Sequence, residues 1–162
     1  MAQPGDDDSV DDDYAGERDA GCRDAGGGGT ALTHDAGKRV LAIGFEPDTL
    51  DFDSDFFRGK PLDAAKIAAG LATATRLATE AGHDFQWLLL DARTPPATAA
   101  RTTREALAAR PVDIVTIGGG IRLNPEVTPM LEALVNAVAE IGGVKLAFNT
   151  TPEDAAAAIG RV

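Results

Sequence analysis

Large apolar residues concentrate in four short runs, and each run gives way to residues in a helical rhythm. Val40-Leu41-Ala42-Ile43 leads into Gly44-Phe45, and Phe85-Gln86-Trp87-Leu88-Leu89-Leu90 stops at Asp91. Ile114-Val115-Thr116-Ile117 stops at three glycines, and residues 144–148 stop at Asn149. Runs this short, almost wholly apolar and closed by turn formers, predict strands buried on both faces. Between the first two, Ile67, Leu71, Ala74 and Leu77 or Ala78 recur at steps of three and four, which predicts a helix over 61–81. Pro61 suits its first turn, Asp63 the positive end of its dipole, and Gly82 its stop. Residues 97–109 predict a second helix, rich in Ala and Arg, with Leu107 its one large apolar residue, closed by Arg110-Pro111. Residues 125–141 predict a third, with Val127, Leu131, Leu134, Val138 and Ile141 inward and Asn136 outward. Thr151-Pro152-Glu153-Asp154 reads as a cap, a proline at the first position and an acidic first turn for a last, Ala-rich helix.

A strand-helix unit repeated four times with short connections predicts an α/β fold, a four-stranded parallel sheet between two helical layers. Right-handed crossovers restrict the strand order. We expect 2-1-3-4, a flavodoxin-like and Rossmann-like winding with one strand fewer than usual. Its switch point falls between the first and third strands, and ligands of open α/β sheets bind there, beyond the carboxyl ends of the strands.

Charge changes the picture at one end of the chain. The 162 residues carry a net charge of −11, and residues 1–38 hold ten acidic against three basic side chains. That segment also holds two Asp triplets, a run of four glycines and few large apolar residues. It cannot offset the entropy of ordering, so a disordered acidic tail over 1–38 and a single domain over 39–162 are expected. The acidity argues against nucleic acid and against an anionic membrane surface as partners. No apolar run nears the roughly 20 residues of a membrane span, and no secretion signal is evident, so a cytoplasmic address is expected. Cys22 is the only cysteine, which excludes an intrachain disulfide and a thiolate-rich metal site.

Candidate chemistry gathers where the strands end. The four loops carry Phe45, Glu46 and Asp48; Asp91 and Arg93; Gly118, Gly119, Gly120 and Arg122; and Asn149, Thr150 and Thr151. The glycines would let backbone N–H groups approach a ligand closely, and a helix following them would turn its positive end to the rim. Arg122 and Arg93 would add charge-assisted hydrogen bonds. Such a rim suits a phosphate or carboxylate; the plainer reading is a tight turn with Arg122 on the surface. Phe52, Phe56 and Phe57, in the loop after the first strand, would fold back as a lid or cap the core.

Several motifs are missing. The first strand is not followed by G-x-G-x-x-G, and no G-x-x-x-x-G-K-[ST] occurs. The loop after the first strand is acidic where flavodoxins hold a phosphate. Gly118 stands where a receiver domain has its phosphorylated Asp, and Asn149-Thr150 stands near its Lys. Asp51, Asp53 and Asp55 match the start of a calcium loop, but Phe56 replaces its glycine and Leu62 its closing Glu, so no metal site is expected. Neither His34, in the tail, nor His83, at the far end of the sheet, can complete a nucleophilic triad at the rim.

The pieces LDFDSDFFRGKPL, IGGGIRL, LVNAV and AFNTTPEDAAAA resemble a group of small bacterial α/β proteins, and the likeness covers the chain from Arg39 to its end. The resemblance implies a flavodoxin- or receiver-like fold and no known activity. Expectation therefore rests on the rim: a regulatory, non-catalytic domain binding a small anionic ligand, with its cofactor unspecified. The alternatives are an enzyme using Glu46, Asp48 or Asp91 as acid or base with Arg122 as clamp, and an interaction module forming a homodimer through the fourth strand's edge or a helix face.

Overall fold

Parallel pairing of the four apolar runs builds the sheet. The computed structural model describes residues 37–162 and places β1 at Arg39–Phe45, β2 at Asp84–Leu90, β3 at Ile114–Ile117 and β4 at Lys145–Phe148. Their order is β2-β1-β3-β4, with every pair parallel. The helices are α1 at Ala64–Glu80, α2 at Pro96–Ala109, the single turn α3 at Gly119–Arg122, α4 at Thr128–Ala139 and α5 at Ala155–Ile159. The expected winding is therefore present. The expected acidic tail lies, but for Gly37 and Lys38, outside the described residues. Lys38 already joins the structure: its carbonyl accepts from Asp84 N at 2.9 Å and its N–H donates to His83 Nδ1 at 3.2 Å.

Strand alternation sorts side chains onto two faces. Leu41, Ile43, Val115 and Ile117 pack with Leu107 of α2 and Met130, Leu134 and Val138 of α4. Val40, Ile114 and Ala147 pack with Ala78 of α1 and with Ala158 and Ile159 of α5. The result is three layers, with the second face filled by smaller residues than the first. Among the described residues no helix is long and apolar enough to cross a membrane.

Three helix starts differ from expectation. The last helix, expected from Pro152, is a 3-10 turn over Pro152–Asp154 followed by α5 from Ala155, and the Thr151 side chain makes no capping hydrogen bond. The first helix begins at Ala64 rather than around Pro61, because the Asp63 carboxylate caps it, accepting from Lys66 N at 2.8 Å. The third predicted helix does not run from Pro125. Residues Pro125–Val127 form a separate 3-10 turn and α4 starts at Thr128. Pro129 explains the break: it has no N–H to donate to the carbonyl of Pro125, so it fits only the first turn of a new helix. Because α4 ends at Ala139, Ile141 is 46% exposed instead of completing the inward stripe, and Met130 and Ala137 take the buried positions.

The outer edges are β2 and β4. Lys145 N and Asn149 N donate to the Asp113 and Ile117 carbonyls, at 3.0 and 3.3 Å, so the peptide groups of Leu146 and Phe148 turn outward. The outward carbonyl of Phe148 accepts from Arg161 Nη2 at 2.7 Å.

At the amino ends of the strands, Arg39 and Asp113 join β1 to the segment leading into β3. Arg39 N and Nε donate to Asp113 Oδ2 at 2.8 and 3.0 Å, and Nη2 donates to Oδ1 at 2.6 Å. These side-chain and backbone hydrogen bonds hold the Asp113 carboxyl well below its ordinary range and raise the Arg39 guanidinium. A carboxyl lowered on folding contributes stability above its unfolded value and loses it as pH falls through the folded value. Asp113→Asn should therefore lower the thermal midpoint at neutral pH, and the gap to the parent should close as the pH is taken below about 4. Thermal melts of both proteins across that range measure it.

Candidate functional site

On the α1/α5 face of the sheet, the two central strands end on residues without side chains. Gly44 and Gly118 lie side by side, Gly118 N donating to Ile43 O at 2.9 Å, and both continue the α1/α5 face of the sheet. A Cβ built on Gly118 would lie 3.9 Å from Gly44 Cα. With nothing projecting from either, the space beneath the first half of α1 stays open. It is a cavity of about 500 Å³. That is the size of pockets that hold a small organic molecule rather than a single ion.

Each wall has a local cause. Trp87 stands beside Gly44 on β2, and its Nε1 donates to Thr75 Oγ1 of α1 at 3.0 Å, which fixes the indole. Ile67 and Leu71 come down from α1. That helix leans on the 3-10 turn Pro152–Asp154, where a Cβ on Gly70 would meet Pro152 Cβ at 3.2 Å. The β1–α1 loop supplies Leu50, Phe56 and Phe57. Phe57 is buried, with ring centroids of Phe52 at 5.2 Å and Phe56 at 4.8 Å; Phe56 and Phe57 form a wall of the cavity, and Phe52 packs on Phe57 from outside the lining.

The glycine turn forms the next side, in a way the sequence did not indicate. Gly118 has φ −70°, and Gly119 and Gly120 already belong to α3, so none of the three uses a left-handed conformation. What Gly119 supplies is room. A Cβ on it would lie 2.0 Å from the Thr150 carbonyl oxygen, whereas one on Gly120 would lie 3.5 Å from Phe45 Cδ2. The α3 turn is thus pressed against the β4–α5 loop. Gly119 and Gly120 are its first two residues, and their N–H groups have no carbonyl within the turn. Next to them, Asn149 is 2% exposed; its Nδ2 donates to Thr151 O at 2.8 Å and its buried Oδ1 has no partner.

The expected rim residues divide. Phe45, Gly118, Gly119, Gly120, Asn149, Thr150 and Thr151 line the cavity. Glu46, Asp91 and Arg122 do not. Glu46 points to solvent. Asp91 is held by Arg93 at 2.7 Å, and this side-chain hydrogen bond with the Arg93 backbone N–H lowers its carboxyl to about 2. It is ionised at neutral pH and a weak proton acceptor, and Arg93 is occupied by the same contact. Arg122 donates from Nη2 to Thr150 Oγ1 at 3.2 Å, just outside the lining, and its Nε is buried without an acceptor. In the acidic loop, Asp51 accepts from Asp53 N at 3.0 Å and Asp55 pairs with Arg58 at 3.0 Å. Among the described residues no group of three or more His, Cys, Asp or Glu is placed to hold a metal ion.

Reading from the sequence missed Leu50, Ile67, Leu71 and Trp87 as site residues, and with them Lys60 and Lys66. A period-two count would have found Trp87, since it stands on the same face of the sheet as Gly44. The glycines also separate by test: Gly119→Ala should destabilise the fold by about 2 kcal/mol or more through a backbone clash, while Gly120→Ala should stay within about 1 kcal/mol. Urea denaturation of both variants measures the difference, and equal effects would count against the close contact. Compared with known proteins, the chain matches no family model, no curated protein and no solved structure.

Proposed function

We propose that this chain is a non-catalytic domain that binds a small anionic molecule at the carboxyl ends of its strands. The cavity of about 500 Å³ beside Gly44 and Gly118 carries the reading. It lies at the switch point of the sheet, where folds of this winding bind ligands. It has apolar walls with a few polar groups, the usual make-up of a small-molecule site. The residues anticipated as acid or base do not enter it, so no geometry favours the enzymatic alternative. Nucleic acid and anionic membranes remain poor partners for a chain of net charge −11.

Thermal melts against a panel of anionic metabolites test the proposal. A ligand present at about a hundred times its dissociation constant adds about 2.7 kcal/mol to stability, which raises the midpoint by several degrees. Gly44→Val should keep the fold, since the first added carbon meets Trp87 and Leu89 at 3.6 and 3.7 Å, ordinary contact distances. Its remaining methyls fill the cavity floor, so it should lose the ligand-induced shift. A panel without a single stabilising compound, or a shift that survives Gly44→Val, would overturn the assignment.

A further inference from the structure

We infer that the ligand of this cavity is an amphiphilic anion, an apolar body ending in a carboxylate or a similar acid, with its charged end at Lys60 and Lys66. This rests on the binding reading above and narrows it to one chemical class.

The walls set the body. Phe57, Leu50, Ile67, Leu71, Trp87 and Ile121 surround most of the space, and they reward burial of apolar area, at about 25 cal/mol for each Å². Inorganic phosphate would occupy a small part of about 500 Å³ and leave these walls without contacts. An extended apolar molecule covers them.

Two lysines set the charged end. Both line the cavity on the side of the β1–α1 loop and the start of α1. Lys66 is partly satisfied: Nζ donates to Pro61 O at 2.8 Å and lies 3.6 Å from Asp63 Oδ2. Lys60 is not. Its ammonium rests 3.3 Å from the centre of the Phe56 ring, and it has no carboxylate partner among the described residues. The ring holds the charge at the edge of an apolar surface, where an amphiphile's head emerges as its body is buried. Glu153 is the one carboxylate in the lining; it lies against Gly70 of α1, one helical turn on from Lys66. An acidic head would be repelled by Glu153 and drawn to the two lysines.

A second polar feature lies deeper. The buried Oδ1 of Asn149 lacks a hydrogen bond, and an orphan acceptor of this kind costs about 1–3 kcal/mol until a donor reaches it. It stands on the floor line of the sheet beyond Ala147, on the α5 side of the cavity. A ligand with a hydroxyl or N–H on its apolar body would satisfy it.

Trp87 is the only tryptophan in the chain and lines the cavity, so its emission reports occupancy. The full chain is titrated with dodecanoate below its micelle concentration, with dodecanol and with inorganic phosphate. Dodecanoate should shift Trp87 emission saturably and bind more tightly than dodecanol. Lys60→Gln should weaken dodecanoate about fivefold and leave dodecanol unchanged, the effect of one solvent-facing charge pair. Gly44→Val should abolish both signals; should that variant not fold, Leu71→Phe fills the same space from α1. Equal affinity for dodecanol and dodecanoate, or an inert Lys60→Gln, overturns the anionic end while leaving the cavity a binding site. A response to phosphate and none to dodecanoate overturns the amphiphile and leaves an anion-binding domain. No response to dodecanoate while the metabolite panel yields a hit overturns this inference alone; no response to either overturns both readings.

Discussion

The contact between the α3 turn and the β4–α5 loop is the constraint on which the site depends. Gly119 meets the Thr150 carbonyl so closely that any β-carbon would have to displace backbone. This contact joins the ends of β3 and β4 into one wall. It also brings the open N–H groups of Gly119 and Gly120 beside the buried Asn149 amide. The same economy of side chains recurs at Gly44 and Gly118. There the absence of bulk leaves space between α1 and the sheet, whereas further along the helix Ala74 and Ala78 are both fully buried. One end of α1 therefore belongs to the core and the other to the site.

Electrostatics divides along the strands in a similar way. Asp113 with Arg39 at the amino ends, and Asp91 with Arg93 at the end of β2, are closed pairs in which each charge meets its opposite. Arg104 and Glu140 do the same between α2 and the end of α4, and the contact raises the guanidinium and lowers the carboxyl. Such exposed pairs contribute little apiece and chiefly fix geometry. Lys60 is different in kind, because an aromatic face rather than a carboxylate holds it. In a chain this acidic, a cation left beside an apolar hollow departs locally from the overall field.

The fold was readable because its strands are short apolar runs and its crossovers permit few windings; both signals are local and the order 2-1-3-4 follows from them. Boundaries were less readable where two local signals compete. Asp63 outranked Pro61 as the start of α1, and Pro129 split a helix that the spacing of Val127 and Leu131 had made continuous. At the site, seven of the anticipated residues line the cavity because strand ends are fixed by the sheet. Leu50, Ile67 and Leu71 were missed because their role arises from distance in three dimensions, between a loop and a helix face far from the glycines in sequence. Asp91 was misplaced for a related reason. Its partner Arg93, two residues on, is as close in sequence as a ligand-binding neighbour would be, and only coordinates show that the two satisfy each other.

The clamp of Arg161 on Phe148 bears on how copies of this chain can meet. A parallel sheet that stops at four strands offers an unpaired margin, and a margin of that sort invites an extended peptide to add on. Here a guanidinium already occupies the acceptor nearest the carboxyl end of that margin. An incoming strand has to evict it before its own amide can bond there, so strand-by-strand growth from β4 is obstructed where it would otherwise crowd the cavity.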